Sequence, residues 1–472
     1  VSIIPRTTPL PATSEQSTAD TSPRHATVAE IAAPVSGRLW LQAAAVFCCL
    51  FFFAKPMIGA FLPQNHHVVD FHQEWLSARN FWTGRPVYGS LAEALWLHDR
   101  RRTDPTQAVF DVNAHPPAAV LVALPFGLLD DSAAFLLWNS LSLLALLLSL
   151  SIIVRELELP LTSELFSLLL CGLLVSEPLF MHFVYGQINL LILLLLTLAW
   201  WADRRQHSWM AGLCVGIAAS LKFFPGFLVV YFLGRKAWRA IAAAAGGFGG
   251  LNLLTAVILG TDAFRDYLAI GFPSAAAFRG AFGNASLPAL WTKCFAATGI
   301  HGPAVSLWTA PWLAHALTAA SWLILSAVVW RSARQIDSEW GRNRSFGLAL
   351  IGMLLASPVT WEHYFVLLLL PLLWLTYRSV HGWPRAVWFA LTAAMLWLTT
   401  LRLAQGQWPE VFRPASATVW HTLWVFSLPC YALLSLFTLV GTATPPGACS
   451  PCTTSRLKPA SVPFGRGLES PR

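Results

Sequence analysis

From Leu39 to Val440 the chain repeats apolar runs of about 16–24 residues, long enough to cross a hydrocarbon layer, separated by short polar pieces. That pattern constrains the fold more than any single motif. With 56% hydrophobic residues, 11% charged residues, 23 Trp and 30 Phe, a water-soluble domain of this size has no interior large enough for its apolar surface. The expected fold is therefore an all-α polytopic membrane protein. The expected segments are 39–61, 132–154, 162–180, 187–202, 209–221, 223–233, 237–260, 303–330, 346–357, 362–377, 385–404 and 417–440, about twelve in all. The apolar piece 116–129 is too short to span and is expected to lie along or dip into the outer interface.

Residues 1–38 and 441–472 are rich in Ser, Thr, Pro and small residues and read as disordered cytoplasmic tails around a membrane-embedded domain at 39–440. The first apolar run starts late and has no small-residue cleavage site after it, so it reads as a retained helix and not a cleaved signal. Short loops with excess Lys and Arg, namely 203–205, 235–239, 331–344 and the surroundings of Arg378 and Arg385, belong on the cytoplasmic side. The long, charge-balanced loops 62–115 and 261–302 then fall outside, and both termini fall inside. The net charge of +8 follows from these loops and tails and does not indicate nucleic-acid binding. Cys48, Cys49, Cys171, Cys214 and Cys430 lie in apolar runs and read as small hydrophobes, while the lone C-x-x-C of Cys449 and Cys452 is a weak metal or redox signal.

Lys222 interrupts the run 209–233, which holds no acidic residue to pair with it. A cation at hydrocarbon depth costs roughly 2.5–3.5 kcal/mol, so such a Lys points to a functional site unless it snorkels to an interface. Pro225, three residues on, breaks a helix there. The cytoplasmic loops at Arg205 and Arg235 leave about 30 residues for an excursion that needs about 40 as two full spans, so two short helices meeting at Lys222–Pro225 are expected. The same reasoning places a second break at residues 357–364, SPVTWEHY. Broken helices need a wet or protein-lined cavity for their freed backbone groups.

Four further stretches hold candidate chemistry. After the first helix, Asp70 and Glu74 are four apart and share a helical face with Trp75 and Arg79 nearby; a solvated amphipathic helix is the plainer account, and a base for a substrate hydroxyl the functional one. The outer loop continues with the run Arg100 to Arg102, either a lipid-phosphate contact or a solvated cluster, and with His115 ahead of two prolines, a contact residue or a turn. Tyr185, Gln187 and Asn189 sit at an outer helix end, where amides serve either interhelical bonding or substrate. At the second break Trp361, Glu362 and His363 suit phosphate binding, proton relay or packing. Asn284 and Ser286 lie in the second outer loop and form a short glycosylation-like triplet. There is no Walker, HExxH, GxSxG or clustered metal-ligand motif, which disfavours ATP hydrolysis, zinc proteolysis and serine hydrolase chemistry.

In order, Asp70-Phe71, Gly84-Arg85-Pro86-Val87-Tyr88, His115-Pro116-Pro117, Tyr185-Gly186-Gln187-Ile188-Asn189, residues 211–225 ending in Lys222-Phe223-Phe224-Pro225, Asn284-Ala285-Ser286-Leu287 and Ser357 to Tyr364 resemble glycosyltransferase family 87, the bacterial type C enzymes that include polyprenol-phosphate-mannose-dependent alpha-mannosyltransferases. The resemblance covers roughly residues 39–404. Two motifs depart from it: His115 stands where the family usually has Tyr, and His72 and Gln73 follow the acidic motif where a Tyr is common.

The resemblance implies transfer of a hexose, with mannose expected, from a polyprenyl-phosphate sugar to a lipid or glycan hydroxyl at the non-cytoplasmic face of a bacterial inner membrane, with inversion. It implies Asp70 as general base and Lys222 and His363 as holders of the departing phosphate. Glu74, His115, Tyr185, Gln187, Asn189, Asn284, Trp361 and Glu362 are further candidate substrate contacts. No essential metal or other cofactor is expected beyond the lipid-linked donor. A secondary transporter or flippase is the rival, since broken helices with intramembrane Lys, Glu and His suit it too; the absence of matching sequence halves and the carboxylate-bearing outer loop count against it.

Overall fold

The computed structural model describes residues 33–63 (side chains from Leu39), 70–99, 112–296, 298, 302–303, 305–378 (side chains to Tyr377), 382–398 and 418–445. The rest of the two tails, Arg100 to Arg102, Cys449 and Cys452 lie outside the described residues.

Every regular element among the described residues is helical. In chain order they are α1 (Ala33–Phe61), α2 (Phe71–Trp82), α3 (Leu91–Asp99), α4 (Pro117–Ala123), α5 (Asp131–Glu156), α6 (Ser163–Leu174), α7 (Glu177–Tyr185), α8 (Asn189–Arg204) and α9 (Ser208–Leu221). There follow α10 (Val229–Gly234), α11 (Trp238–Leu259), α12 (Thr261–Asp266), α13 (Phe272–Ala276), α14 (Leu287–Phe295), α15 (Pro311–Arg334), α16 (Glu339–Ala356), α17 (Leu369–Arg378) and α18 (Trp383–Trp397). Two last helices cover Val419–Trp424 and Leu428–Gly441.

In a bilayer each backbone group needs a partner within its own segment, which is why apolar runs of this length become helices. Leu39–Phe61, Asp131–Glu156, Trp238–Leu259, Pro311–Arg334 and Val419–Gly441 are long and apolar enough to cross, and the pair α6 and α7, bent by 51°, makes a sixth if it is one span. The protein is thus a multi-pass helical membrane protein with five or six full-length spans among the described residues, whereas the expected total of about twelve segments counts half-length pieces as well. The difference has a physical cause: Ser208–Leu221, Phe224–Gly234 and Glu362–Tyr377 are apolar but only half-length, cut by the breaks. α1 carries the lipid-facing signature most clearly, with Trp40 77% and Phe51 68% exposed.

Helix pairing in the interior uses small residues. A Cβ on Gly212 would stand 1.9 Å from the Ala240 carbonyl oxygen, and one on Gly216 2.2 Å from that of Ala244. α9 and α11 therefore pack backbone to backbone, as small residues four apart allow where dispersion is the main attraction. Ala118, Ala119 and Val120 of α4 are fully buried against the protein, while Leu128 further along the same piece, 116–129, is 65% exposed. The small side chains of α4 let a seven-residue helix fit against its neighbours.

Both breaks occur where the sequence places them. α9 stops at Leu221, Lys222 is extended (φ −147°, ψ 134°), and Phe224–Leu228 form a 3-10 turn, with Pro225 in its first turn, that leads into α10. α16 stops at Ala356, Ser357 is extended, and Glu362–Leu368 form a second 3-10 stretch leading into α17. The loop between is tied down by its own hydroxyls: Ser357 Oγ donates to the Val359 carbonyl at 2.6 Å and Thr360 Oγ1 to that of Leu354 at 2.7 Å.

Candidate active site

Asp70 occupies the N-cap of α2, yet its carboxylate makes no capping bond to that helix. It is held instead by two amides. Gln73 Nε2 donates to Oδ1 at 3.3 Å, and Gln187 Nε2 donates to Oδ2. Burial pushes the Asp70 carboxyl above its ordinary range, while His115 and Lys222 pull it back. A carboxylate whose basicity is raised by desolvation and which stays ionised through nearby donors and cations is suited to removing a hydroxyl proton.

Lys222 is 5% exposed, so its ammonium does not snorkel. Nζ donates to Gln187 Oε1 at 3.0 Å, Asn189 Oδ1 at 3.2 Å and the Tyr364 hydroxyl at 3.2 Å, and it lies 4.4 Å from the centre of the Tyr364 ring. Among the described residues, no carboxylate is a hydrogen-bond partner of this ammonium. The Gln187 amide stands between: its oxygen accepts from the ammonium while its nitrogen donates to Asp70. Carboxylate and cation thus share a site without forming a direct ion pair.

Gly186 makes this possible. It caps α7 in the left-handed region (φ 59°), and a Cβ there would fall 2.6 Å from Phe71 Cβ and 3.0 Å from the Phe135 ring. Only glycine both turns the chain and lets it press against the start of α2, which delivers the Gln187 amide to Asp70.

The second break supplies His363 and Tyr364. Asn189 Nδ2 donates to the His363 carbonyl at 3.4 Å, and the Tyr185 ring meets the His363 ring edge-on at 5.6 Å between centroids. His363 Nε2 is buried with no hydrogen-bond partner among the described residues, as are both ring nitrogens of His182, one turn ahead of Gly186. Buried polar atoms without partners are rare and costly, and a cluster of them beside a buried ammonium suits an anion. Trp361 packs against Phe278 with ring centroids 6.1 Å apart. Glu362 lies near Glu177 and, among the described residues, is not a hydrogen-bond partner of Gln187 or Lys222.

Glu74, on the same face of α2 as Asp70, pairs with His115 Nδ1. Asn284 serves the backbone at every polar atom. Its Nδ2 donates to the carbonyls of Phe278, Arg279 and Pro358, and its Oδ1 accepts from the amides of Ser286 and Thr360. It therefore locks the 278–286 turn onto the second break, and its buried amide is closed to glycosylation. Ser286 caps α14 through Oγ. Lys293 is a second buried cation, donating to the carbonyls of Phe282, Asn284 and Phe426 at 3.3, 2.9 and 3.0 Å; burial pushes its ammonium down to about 8.

Three participants escape a reading by sequence alone. Tyr364 contacts Lys222 from 142 positions away, and Gln73 and His182 carry no spacing signal that separates them from ordinary helix residues. A polar residue at helical spacing from Asp70 was the one available hint for Gln73. Among the described residues, no group of three or more His, Cys, Asp or Glu side chains is arranged to hold a metal ion.

Among the described residues, a buried carboxylate and a buried ammonium converge through Gln187 beside the two helix breaks of a multi-pass helical protein. The family model described as glycosyltransferase family 87 matches residues 113–358, just over half of the chain. The chain belongs to that family and is a glycosyltransferase. A polyprenol-phosphate-mannose-dependent alpha-(1-2)-phosphatidylinositol pentamannoside mannosyltransferase of Mycolicibacterium smegmatis is 26% identical over 66% of this chain and 72% of its own length. A polyprenol-phosphate-mannose-dependent alpha-(1-2)-phosphatidylinositol mannoside mannosyltransferase of Mycobacterium tuberculosis is 25% identical over 77% of this chain and 82% of its own. An alpha-(1->3)-arabinofuranosyltransferase of Corynebacterium glutamicum is 25% identical over 82% and 85%.

Proposed function

We propose that this enzyme transfers a mannosyl group from polyprenyl-phosphate mannose to a hydroxyl of a lipid or glycan acceptor, by a single inverting displacement. Asp70 takes the acceptor proton. Lys222 and His363 hold the phosphate that leaves. The observation that carries the reading is the Gln187 bridge, which holds a base and a cation on opposite sides of one amide. In an in-line displacement the base and the leaving-group binder flank the sugar, and charge building on the phosphate is stabilised far better by a desolvated ammonium than by water.

Tyr185, Asn189 and Trp361 border this set, and Glu74, His115, Asn284 and Glu362 support it from further out. The relatives named for mannose donors and phosphatidylinositol mannoside acceptors favour mannose and a lipid acceptor here. The site faces the extracytoplasmic side of a bacterial inner membrane, a placement supported by the basic loops at the far ends of α8 and α10. The half-length helices around the breaks complete about twelve crossings, with both termini inside. A lipid-linked donor brings its own activated phosphate, so the chemistry asks for no nucleotide fold and no essential metal.

Purified protein incubated with labelled polyprenyl-phosphate mannose and a membrane extract should yield a labelled lipid or glycan, and polyprenyl-phosphate arabinofuranose should not replace the donor. Absence of label transfer with any polyprenyl-phosphate sugar would contradict the reading.

A further inference from the structure

Asp70 has a second neighbourhood, on the side away from Gln187. Gln73 reaches both ways: its Nε2 donates to Asp70 Oδ1 at 3.3 Å and its Oε1 accepts from the Ala114 amide at 3.0 Å, which fixes the turn that carries His115 against α2. The turn is held further by Asn113, whose Nδ2 donates to the Gln73 carbonyl and to Ser77 Oγ, both at 3.0 Å, and whose Oδ1 accepts from the His115 amide at 2.8 Å. Tyr88 donates its hydroxyl to the His115 carbonyl at 2.6 Å. The imidazole itself is left to Glu74, which meets Nδ1.

A carboxylate on Nδ1 selects the tautomer of the neutral ring in which Nδ1 is the donor and Nε2 keeps its lone pair. The Glu74 side chain is 5% exposed and that of His115 17%, so one member is sealed and the other reaches water. Among the described residues, the charged and titratable groups around this imidazole are Asp70 and Glu74 on α2, Tyr88 with the Tyr267 ring tilted against it at 5.6 Å between centroids, and, across the site, Lys222 and His363.

We infer that the Glu74–His115 pair is a proton exit for Asp70, so that His115 receives the acceptor proton from the base and releases it to water. This rests on Asp70 acting as the base of the proposed transfer. As the acceptor oxygen bonds to the anomeric carbon, the bond from that carbon to the phosphate oxygen breaks and its electron pair leaves with the polyprenyl phosphate. The acceptor O–H proton passes to Asp70 and from there, since no hydrogen bond joins the two side chains among the described residues, through an intervening water to His115 Nε2. The imidazolium so formed is balanced by the Glu74 carboxylate until the proton leaves to solvent, and Asp70 is again ionised. Without an exit, a base raised above its ordinary range keeps its proton longer and turnover slows. His115 thus acts through Asp70 and is a positioning and relay residue.

The test is chemical rescue. Because the backbone of the turn is held by Tyr88, Asn113 and Gln73, removing the ring in His115→Ala leaves the turn in place. kcat should fall about 10–100-fold with donor KM unchanged, and added imidazole should restore it in a concentration-dependent way. Glu74→Gln, which keeps shape and a hydrogen bond to His115, should lower kcat less and displace the acid limb of the kcat–pH profile. Wild-type turnover in His115→Ala, or a loss that imidazole leaves unchanged while Glu74→Gln has the wild-type pH profile, overturns the inference. Should His115→Ala not remain monodisperse in detergent, the Glu74→Gln pH profile decides alone. Asp70→Asn separates the two levels. If it is inactive and unrescued while His115→Ala behaves as wild type, the relay fails and the base stands; if it turns over normally, the proposed base fails.

Discussion

At the two ends of α8 the protein buries a carboxylate together with a cation, and it wires the two clusters differently. At the Arg204 end, Asp203 contacts Arg235 directly and accepts the Tyr231 hydroxyl at 2.7 Å, while its backbone carbonyl accepts from Arg342 at 2.7 Å. Beside it Arg204 pairs with Glu156 and Glu339 and donates to Asn343 Oδ1, which Trp200 also reaches at 3.0 Å. Each principal charge there faces an opposite one. At the Asn189 end, about 22 Å away along a 16-residue helix, Asp70 and Lys222 meet only through an amide, and three imidazole nitrogens nearby have no partner among the described residues. Saturated ion pairs hold helices together. An unsaturated pair, kept apart by glutamine, keeps a base basic and a cation available to a third party.

Substitutions can break this contrast or sharpen it. The largest effect is expected for Asp70→Asn, which should lower transfer by about 10³-fold or more while the protein remains folded and membrane-inserted, as loss of a positioned general base does. Transfer rate and thermal melting in detergent check both halves. Lys222→Met should cost about 10²–10³-fold and act mainly through the donor, because it removes the charge opposite the developing phosphate. Gln187→Glu should turn the amide bridge into an ion pair of the kind seen at the other end of α8. Direct pairing with Lys222 and repulsion of Asp70 should cut kcat about 10-fold or more without lowering the melting temperature.

Arg235→Met should do the reverse. It strands Asp203 in the interior and should destabilise by about 3–5 kcal/mol, while transfer per folded molecule stays within about twofold of wild type. The smallest effect concerns pH. Because burial raises Asp70, its basic form is lost on acidification at a higher pH than for an ordinary aspartate. The acid limb of kcat/KM should therefore fall above about pH 4, and it should vanish in Asp70→Asn.

The sequence carries the membrane class, the two helix breaks and several residues that meet at them. Lys222 announces itself because a cation in an apolar run has few explanations, and Gln187 and Asn189 because amides end an apolar helix. The way these residues are joined is another matter. Gln187 reaches Asp70 across 117 positions, and no periodicity encodes a contact that long. Gly186 reads as a helix stop, yet its conformational freedom matters most because Phe71 leaves no space for a Cβ. Asn284 resembles a substrate contact in the sequence; only its five backbone partners reveal a lock between two loops. Which apolar runs cross as full spans is not legible in the sequence, because half-length helices around a break are as apolar as whole ones.

The central claim is that one amide holds a base on one side and a leaving-group cation on the other, with separate tasks. Equilibrium binding of labelled polyprenyl-phosphate mannose to wild type, Asp70→Asn and Lys222→Met tests it most directly. The account predicts that Asp70→Asn binds the donor within about threefold of wild type yet transfers at least about 10³-fold more slowly, while Lys222→Met binds it at least about tenfold more weakly. Equal loss of donor binding in both variants, or wild-type transfer by Asp70→Asn, would contradict it.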